Sequence, residues 1–265
     1  MKNKIFILTL LIVSVIAITG CSTVNSIPQN NATTPILPEN TPETAPDEVP
    51  NIRFDKLLHI HSDSLSLYTG KRGSGKKVGT VYKNDLLPIL KIEDGHYVSI
   101  FNYYTVYIPT NYNVSVKEFS LGSEKVESVI TEAKKLIGIP YVYGAERYHW
   151  GNGILNGKFS KYAFDCSSFT QYVYFKSNGI LLDTTSRTQS LQGKTVSKDN
   201  LRRGDLMFFT TANRVHLSGL ERVGHVAIYL GDNYIIHTAS DYAVIEPIST
   251  KRWSYFISAK RVIFD

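Results

Sequence analysis

At Ser123 the hydrophobic period of the chain changes, and that change restricts the folds open to it. From Arg53 to about Ser120 the apolar or alternating runs are short: Leu65 to Tyr68, Lys77 to Tyr82, Leu86 to Ile92, His96 to Phe101 and Thr105 to Ile108. Turn chemistry such as Gly70-Lys71-Arg72-Gly73-Ser74-Gly75 and Asp94-Gly95 separates them. Strands this short and close predict a small antiparallel barrel. After Ser123, Val126, Val129, Ile130, Ala133, Leu136 and Ile137 recur at helical spacing. Glu124 and Glu127 occupy the early turns, Lys134 and Lys135 the last, and Gly138 marks the stop. A second helix is predicted from Cys166 to about Asn178, with Asp165 as N-cap, Phe169, Tyr172 and Val173 facing inward, and Gly179 at the end. Gly204 to Phe209 and Val223 to Ala239 then read as strands. Helices first and antiparallel strands later indicate an α+β domain over residues 121–265, preceded by the all-β unit at 53–120.

The N-terminus opens with Lys2 and Lys4, followed by an apolar run from Ile5 to Ile18 broken only by Thr9 and Ser14, which is the shape of a secretory signal. It closes on Ile18-Thr19-Gly20-Cys21, which resembles a bacterial lipobox. That resemblance implies removal of residues 1–20 and a lipid on Cys21. An uncleaved membrane anchor is the alternative, although the run falls short of the ~20 apolar residues of a spanning helix. Either way the remainder lies outside the cytoplasm. Residues 21–52 hold six of the ten prolines and, from Ser22 to Ile52, no lysine or arginine. Such a segment buries too little apolar surface to order itself, so it reads as an extended tether. These two segments together are net negative, so the folded remainder is more basic than the chain's +6. A basic extracytoplasmic surface suits anionic partners such as wall polymers or lipid headgroups, and an ordinary solvated surface fits the numbers equally well. No long basic run points to nucleic acid.

With Cys21 assigned to lipid, Cys166 has no disulfide partner and is either buried and inert or reactive. A position in the first turn of a helix puts its sulfur near unpaired N–H groups and the positive end of the macrodipole, which favours the thiolate. The same N–H groups suit an oxyanion. The adjacent Asp165 carboxylate opposes ionisation, so a cationic partner is required. Two histidines flank the loop Gly231-Asp232-Asn233, which suits a G1-bulge hairpin. With Leu230 facing Tyr234, Ala227 faces His237 and His225 faces Ala239. The two imidazoles then share a face as diagonal neighbours, ~7–8 Å apart at the backbone. His225 could take the thiol proton and be oriented by His237. A pair of core histidines beside a buried cysteine is the plainer alternative.

The chain resembles the NlpC-type cell-wall cysteine peptidases, a papain-like family, over roughly residues 124–261. The resemblance rests on Ile139-Pro140-Tyr141-Val142-Tyr143-Gly144, Phe164-Asp165-Cys166-Ser167-Ser168, Arg203-Gly204-Asp205-Leu206-Met207-Phe208-Phe209, and Val223-Gly224-His225-Val226-Ala227-Ile228-Tyr229-Leu230 with His237. It implies hydrolysis of an amide bond in peptidoglycan stem peptides, most often between D-glutamate and a diamino acid, with no cofactor or metal. It also implies nucleophile Cys166, base His225 and orienting His237, with Tyr141 lining the site and Asp165 and Ser167 holding the stem peptide. An acidic Asp165 suits a substrate with a free amino terminus. Ser186 matches a substrate-facing serine, although the family's usual Arg-Thr-Ser reads Thr184-Thr185-Ser186 here. Residues 53–120 resemble bacterial SH3-type wall-targeting domains. Together these features imply a lipid-anchored extracytoplasmic wall hydrolase. The alternatives are a binding lipoprotein that no longer turns over, and an amidase or other acyl-transfer enzyme on the same scaffold.

Two features fall outside that pattern. Residues 146–163 form a longer connection than the family usually carries and include Tyr148, His149, Trp150, Gly151, Asn152 and Gly153. They read equally as a wall of the substrate cleft or as a surface flap. His59 and His61 could share a strand face, with Asp63 continuing it, as a metal site would, but the Ser62-Asp63-Ser64 stretch more readily turns away.

Overall fold

The computed structural model describes residues 56–264. The predicted signal at 1–20, Cys21 and the tether at 21–52 lie outside the described residues. Eight short strands come first: β1 (Lys56–Ile60), β2 (Ser64–Tyr68), β3 (Lys77–Tyr82), β4 (Leu86–Pro88), β5 (Lys91–Glu93), β6 (His96–Phe101), β7 (Tyr104–Pro109) and β8 (Val114–Glu118). They make three antiparallel sheets, β4-β1-β8, β2-β3 and β5-β6-β7. Leu57, Leu58, Leu67, Val81, Phe101 and Val106, drawn from all three, are buried in one core. The run from Leu86 to Ile92, expected as a single strand, is two, interrupted after Pro88, which has no N–H to continue the ladder. β8 escaped the sequence reading, and β1 entered it only through His59 and His61. The two strands pair with each other from Lys56–Glu118 to Ile60–Val114, a long-range match that no local alternation signals.

Helix α1 (Glu124–Lys134) ends a turn earlier than its apolar spacing suggests. Leu136 and Ile137 follow in a turn that leads to Gly138 at φ 87°. A Cβ on Gly138 would lie 2.5 Å from the Asn102 nitrogen and 2.6 Å from the Phe101 ring, so only glycine allows the chain to pass here. The Asn102 N–H donates to the Ile137 carbonyl at 2.7 Å, tying the strand-rich part to the helical part. The remaining elements are α2 (Cys166–Asn178), α3 (Ser186–Gln189), β9 (Lys194–Val196), β10 (Leu206–Phe209), β11 (His225–Gly231), β12 (Tyr234–Ala239), β13 (Tyr242–Pro247), α4 (Thr250–Ser254) and β14 (Phe256–Arg261). The six strands form one antiparallel sheet in the order β13-β12-β11-β10-β14-β9, giving an α+β architecture. Phe169 and Val173 of α2 share a core with Val226, Ile228 and Ile236. Met207, Phe209, Ala227, Ile235 and Ala259 form a separate core. Among the described residues no helix is long and apolar enough to cross a membrane.

Glu127, in the first turn of α1, is buried. Its carboxylate holds the Arg203 guanidinium through two bonds of 2.7 and 3.0 Å, and Arg203 also donates to the Leu230 carbonyl at 2.8 Å. This pair fastens α1 to the end of β11. Removing the carboxylate in Glu127→Ala leaves a buried cation without a counter-charge, an expected loss of about 3–5 kcal/mol of stability by denaturant unfolding. A loss below ~1 kcal/mol would mean that Arg203 finds solvent instead.

Candidate active site

The first turn of α2 is built by its cap. Asp165 Oδ1 accepts from the N–H groups of Ser167 (3.1 Å) and Ser168 (2.8 Å), and the Asp165 N–H donates back to Ser168 Oγ at 2.9 Å. At the far end Gly179 adopts φ 67° and closes the helix. The Cys166 N–H alone in that turn has no acceptor among the described residues. Cys166 lines a cavity of about 160 Å³.

Across from α2 lies the β11–β12 hairpin. Its turn is Asp232-Asn233, both with positive φ (49° and 65°), and Gly231 rather than Leu230 opposes Tyr234 because the strand carries an irregularity there. The expected register otherwise holds at Tyr229–Ile235 and Ile228–Ile236. Nearer the start of the strand, the Val226 N–H favours the ionised form of the Cys166 sulfur.

The imidazoles meet more closely than the backbone spacing suggested. His225 Nε2 and His237 Nδ1 are 2.8 Å apart, and His237 Nε2 lies 3.0 Å from Glu246 Oε1 on β13. Arg252 of α4 approaches the same carboxylate oxygen at 2.9 Å. These contacts fix the tautomers. A carboxylate only accepts, so His237 must carry its proton on Nε2 and present a lone pair at Nδ1; His225 then donates from Nε2 and keeps a lone pair on Nδ1. Burial and the neighbouring His237 hold His225 well below the ordinary imidazole value, and burial lowers His237 against the opposing pull of Glu246. Burial alone would raise Glu246, but His237 and Arg252 outweigh it and hold the carboxyl at about 2. Glu246 and Arg252 were missed in the sequence. The available signal was the alternation of β13, in which Glu246 pairs with Ile235, two residues from His237.

The resting thiol differs from expectation. Burial, followed by the Asp165 carboxylate, pushes Cys166 up to about 12, against the opposing help of the Val226 and Ser167 N–H groups and Arg147. Desolvation thus exceeds the helix-terminus effect, and the free protein holds a neutral thiol and a neutral His225. A profile of methanethiolsulfonate labelling against pH should give an apparent thiol pKa above that of the unfolded chain, near ~8.5. A native value below it would show a thiolate–imidazolium pair at rest.

The other predicted residues surround this centre. Tyr141 is held by its N–H to the Asp241 carbonyl at 2.9 Å, and its hydroxyl is pushed up to about 12 by burial and then by Cys166, so it stays a donor. Ser167 Oγ points into the cap, 3.2 Å from Asp165 Oδ1 and 3.4 Å from the Thr184 carbonyl. Ser186 opens α3 and lines the cavity, its hydroxyl without a partner among the described residues. Asp165 is 4% exposed and fully engaged: besides the cap, its Oδ2 accepts from Gly144 N–H (3.2 Å) and from Arg147 (2.9 Å). The loop that carries Arg147 gives one side chain to the cleft wall and is anchored on α2. Tyr148 packs edge-on against Tyr172 and Phe175, and His149 is fully buried with its N–H on Gln171. Trp150 is exposed, and only Arg147 reaches the cavity. Elsewhere, the His59 and His61 rings do come together, with centroids 4.4 Å apart, and His61 lies 2.8 Å from Ser115 Oγ, but the Asp63 side chain is turned into solvent and does not join them.

Residues 138–262 match the NlpC/P60 family. The chain is 34% identical over 126 residues to the gamma-D-glutamyl-L-lysine dipeptidyl-peptidase of Bacillus cereus, covering 47% of this chain and 32% of that protein. It is 31% identical over 137 residues to the peptidoglycan DL-endopeptidase CwlO of Bacillus licheniformis, covering 51% and 27%. The chain thus spans a third or less of the length of these relatives. A crystal structure of an NlpC/P60 family protein from Bacillus cereus aligns over 78% of this chain and 63% of its own, at 25% identity and a TM-score of 0.42.

Proposed function

We propose that the NlpC/P60 family domain at residues 138–262 hydrolyses an amide bond in peptidoglycan stem peptides through a thioester on Cys166. The observation that carries this reading is the unbroken line from Glu246 through His237 to His225, which leaves an unprotonated Nδ1 for the thiol. In the first step His225 Nδ1 takes the thiol proton as the sulfur attacks the scissile carbonyl carbon. The Cys166 N–H and the Tyr141 hydroxyl receive the oxyanion. The imidazolium then returns its proton to the departing amine, leaving the thioester. Water, deprotonated by His225, attacks that thioester, and collapse releases the acid and restores the thiol.

The gamma-D-glutamyl-L-lysine activity named for the Bacillus cereus relative supports the bond between D-glutamate and a diamino acid as the target. The strands at 56–118 serve in this reading as an SH3-type wall-binding unit, and a lipid on Cys21 with the tether at 21–52 holds the enzyme at the membrane, facing the wall. Incubating the full chain with purified sacculi should release soluble fragments, and their mass spectrum should show new γ-D-glutamyl and diamino-acid termini. Sacculi left unchanged, with protein retained on them, would favour a binding role instead. Fragments ending at another bond would keep the chemistry and move the specificity to an amidase.

A further inference from the structure

The cavity beside Cys166 is lined by three arginines, Arg147, Arg187 and Arg214, and by one acid, Asp165. That acid is already spent. Its Oδ1 caps α2, and its Oδ2 takes the Gly144 N–H and the Arg147 guanidinium. Arg187 and Arg214 share a single further carboxylate, Glu221, at 3.7 and 3.2 Å, and that group is mostly exposed outside the cavity. The wall therefore presents more cation than anion to whatever enters.

Arg147 is not a stray surface side chain. Its Nε donates to the Thr184 carbonyl and its Nη1 to the Ala145 carbonyl, so the guanidinium ties its own loop to the segment before α3. The residues on either side of it are anchored: Glu146 accepts from the Asn156 amide at 2.9 Å, and Tyr148 sits in the aromatic cluster on α2. Gly144, at φ 75°, turns the chain so that its own N–H reaches Asp165. The connection at 146–163 is thus shaped to hold one cation against one carboxylate.

An α-ammonium entering this cavity would find no unpaired anion and would face guanidinium groups; an acylated amino terminus carries no charge and meets no such repulsion. We propose, on the stem-peptide reading above, that this cleft receives peptides whose amino terminus is acylated. Arg147 sets the preference as a positioning residue, by occupying the Asp165 carboxylate that a free ammonium would need. The substrates of choice are then stem segments still attached to glycan or otherwise blocked, rather than released peptides.

Binding separates this inference from the hydrolase reading. In a Cys166→Ala background, alanyl-γ-D-glutamyl-lysine with an acetylated amino terminus should bind at least 10-fold more tightly than the same peptide with a free one. Arg147→Met should bring that ratio to one or reverse it, and Arg147→Lys, which keeps a cation on Asp165, should retain its direction. A structural role alone would weaken both peptides together and leave the ratio unmoved. Equal affinity, preference for the free amine with Arg147 present, or no binding of either peptide would overturn the proposal. If the preference appears but wild-type protein leaves the peptides uncut, the hydrolase reading fails and the specificity stands.

Discussion

Fragment release from sacculi should fall by at least ~10⁴-fold in Cys166→Ala, with the thermal unfolding midpoint little changed. The size of the effect follows from the surroundings of the sulfur. The hydroxyls next to it in sequence are already engaged, Ser167 Oγ with Asp165 and the Thr184 carbonyl and Ser168 Oγ with the Asp165 backbone. Alanine removes one sulfur from a buried cluster and leaves the first turn held by the Asp165 cap. Binding of the stem peptide should persist in this variant, since the cavity walls are intact. Release within 10-fold of wild type would place the nucleophile elsewhere.

His225→Ala should cost on the order of 10³–10⁴-fold in kcat, because a thiol raised to about 12 does not ionise unaided near neutral pH. His237→Ala should cost less, since His225 would remain but lose the acceptor for its Nε2 proton. Glu246→Gln should cost least, about 10-fold, by a specific route. The new amide can donate to His237 Nε2, which reverses both tautomers and places a proton on the His225 nitrogen that must be bare. The pH profile carries a matching sign. Because His225 lies well below its usual 6.5, its neutral, proton-accepting form persists as pH falls. The acid limb of kcat/KM should therefore appear below pH ~6.5, and Glu246, held at about 2, stays anionic throughout it. Equal losses in all three variants would mean that the histidines and the glutamate act only as packing.

The parts of this site that were readable in the sequence are those governed by local chemistry. Asp165 and Gly179 bound α2 because a cap and a left-handed stop are decisions made within a few residues. The loop at 231–233 set the register of β11 and β12 closely enough to bring two imidazoles together, although the irregularity at Leu230 moved the last pair by one residue. What stayed hidden depended on distant pairing or on burial. Glu246 becomes visible only once β13 is laid against β12, and β8 only once it returns to β1. Arg147 lies in a connection with no period to read, and its role depends on the reach of one long side chain to Asp165. The charge state of Cys166 was misjudged for a related reason. The helix terminus is evident from sequence, whereas the removal of water around the sulfur is a property of the whole packed cleft.

The nucleophile can be tested without altering the chain. Full-length protein treated with methyl methanethiolsulfonate until peptide mapping shows Cys166 fully converted to its methyl disulfide should release no fragments from sacculi, and dithiothreitol should restore release together with the free thiol. Protein that carries the complete modification at Cys166 and still digests sacculi at the untreated rate would contradict the account.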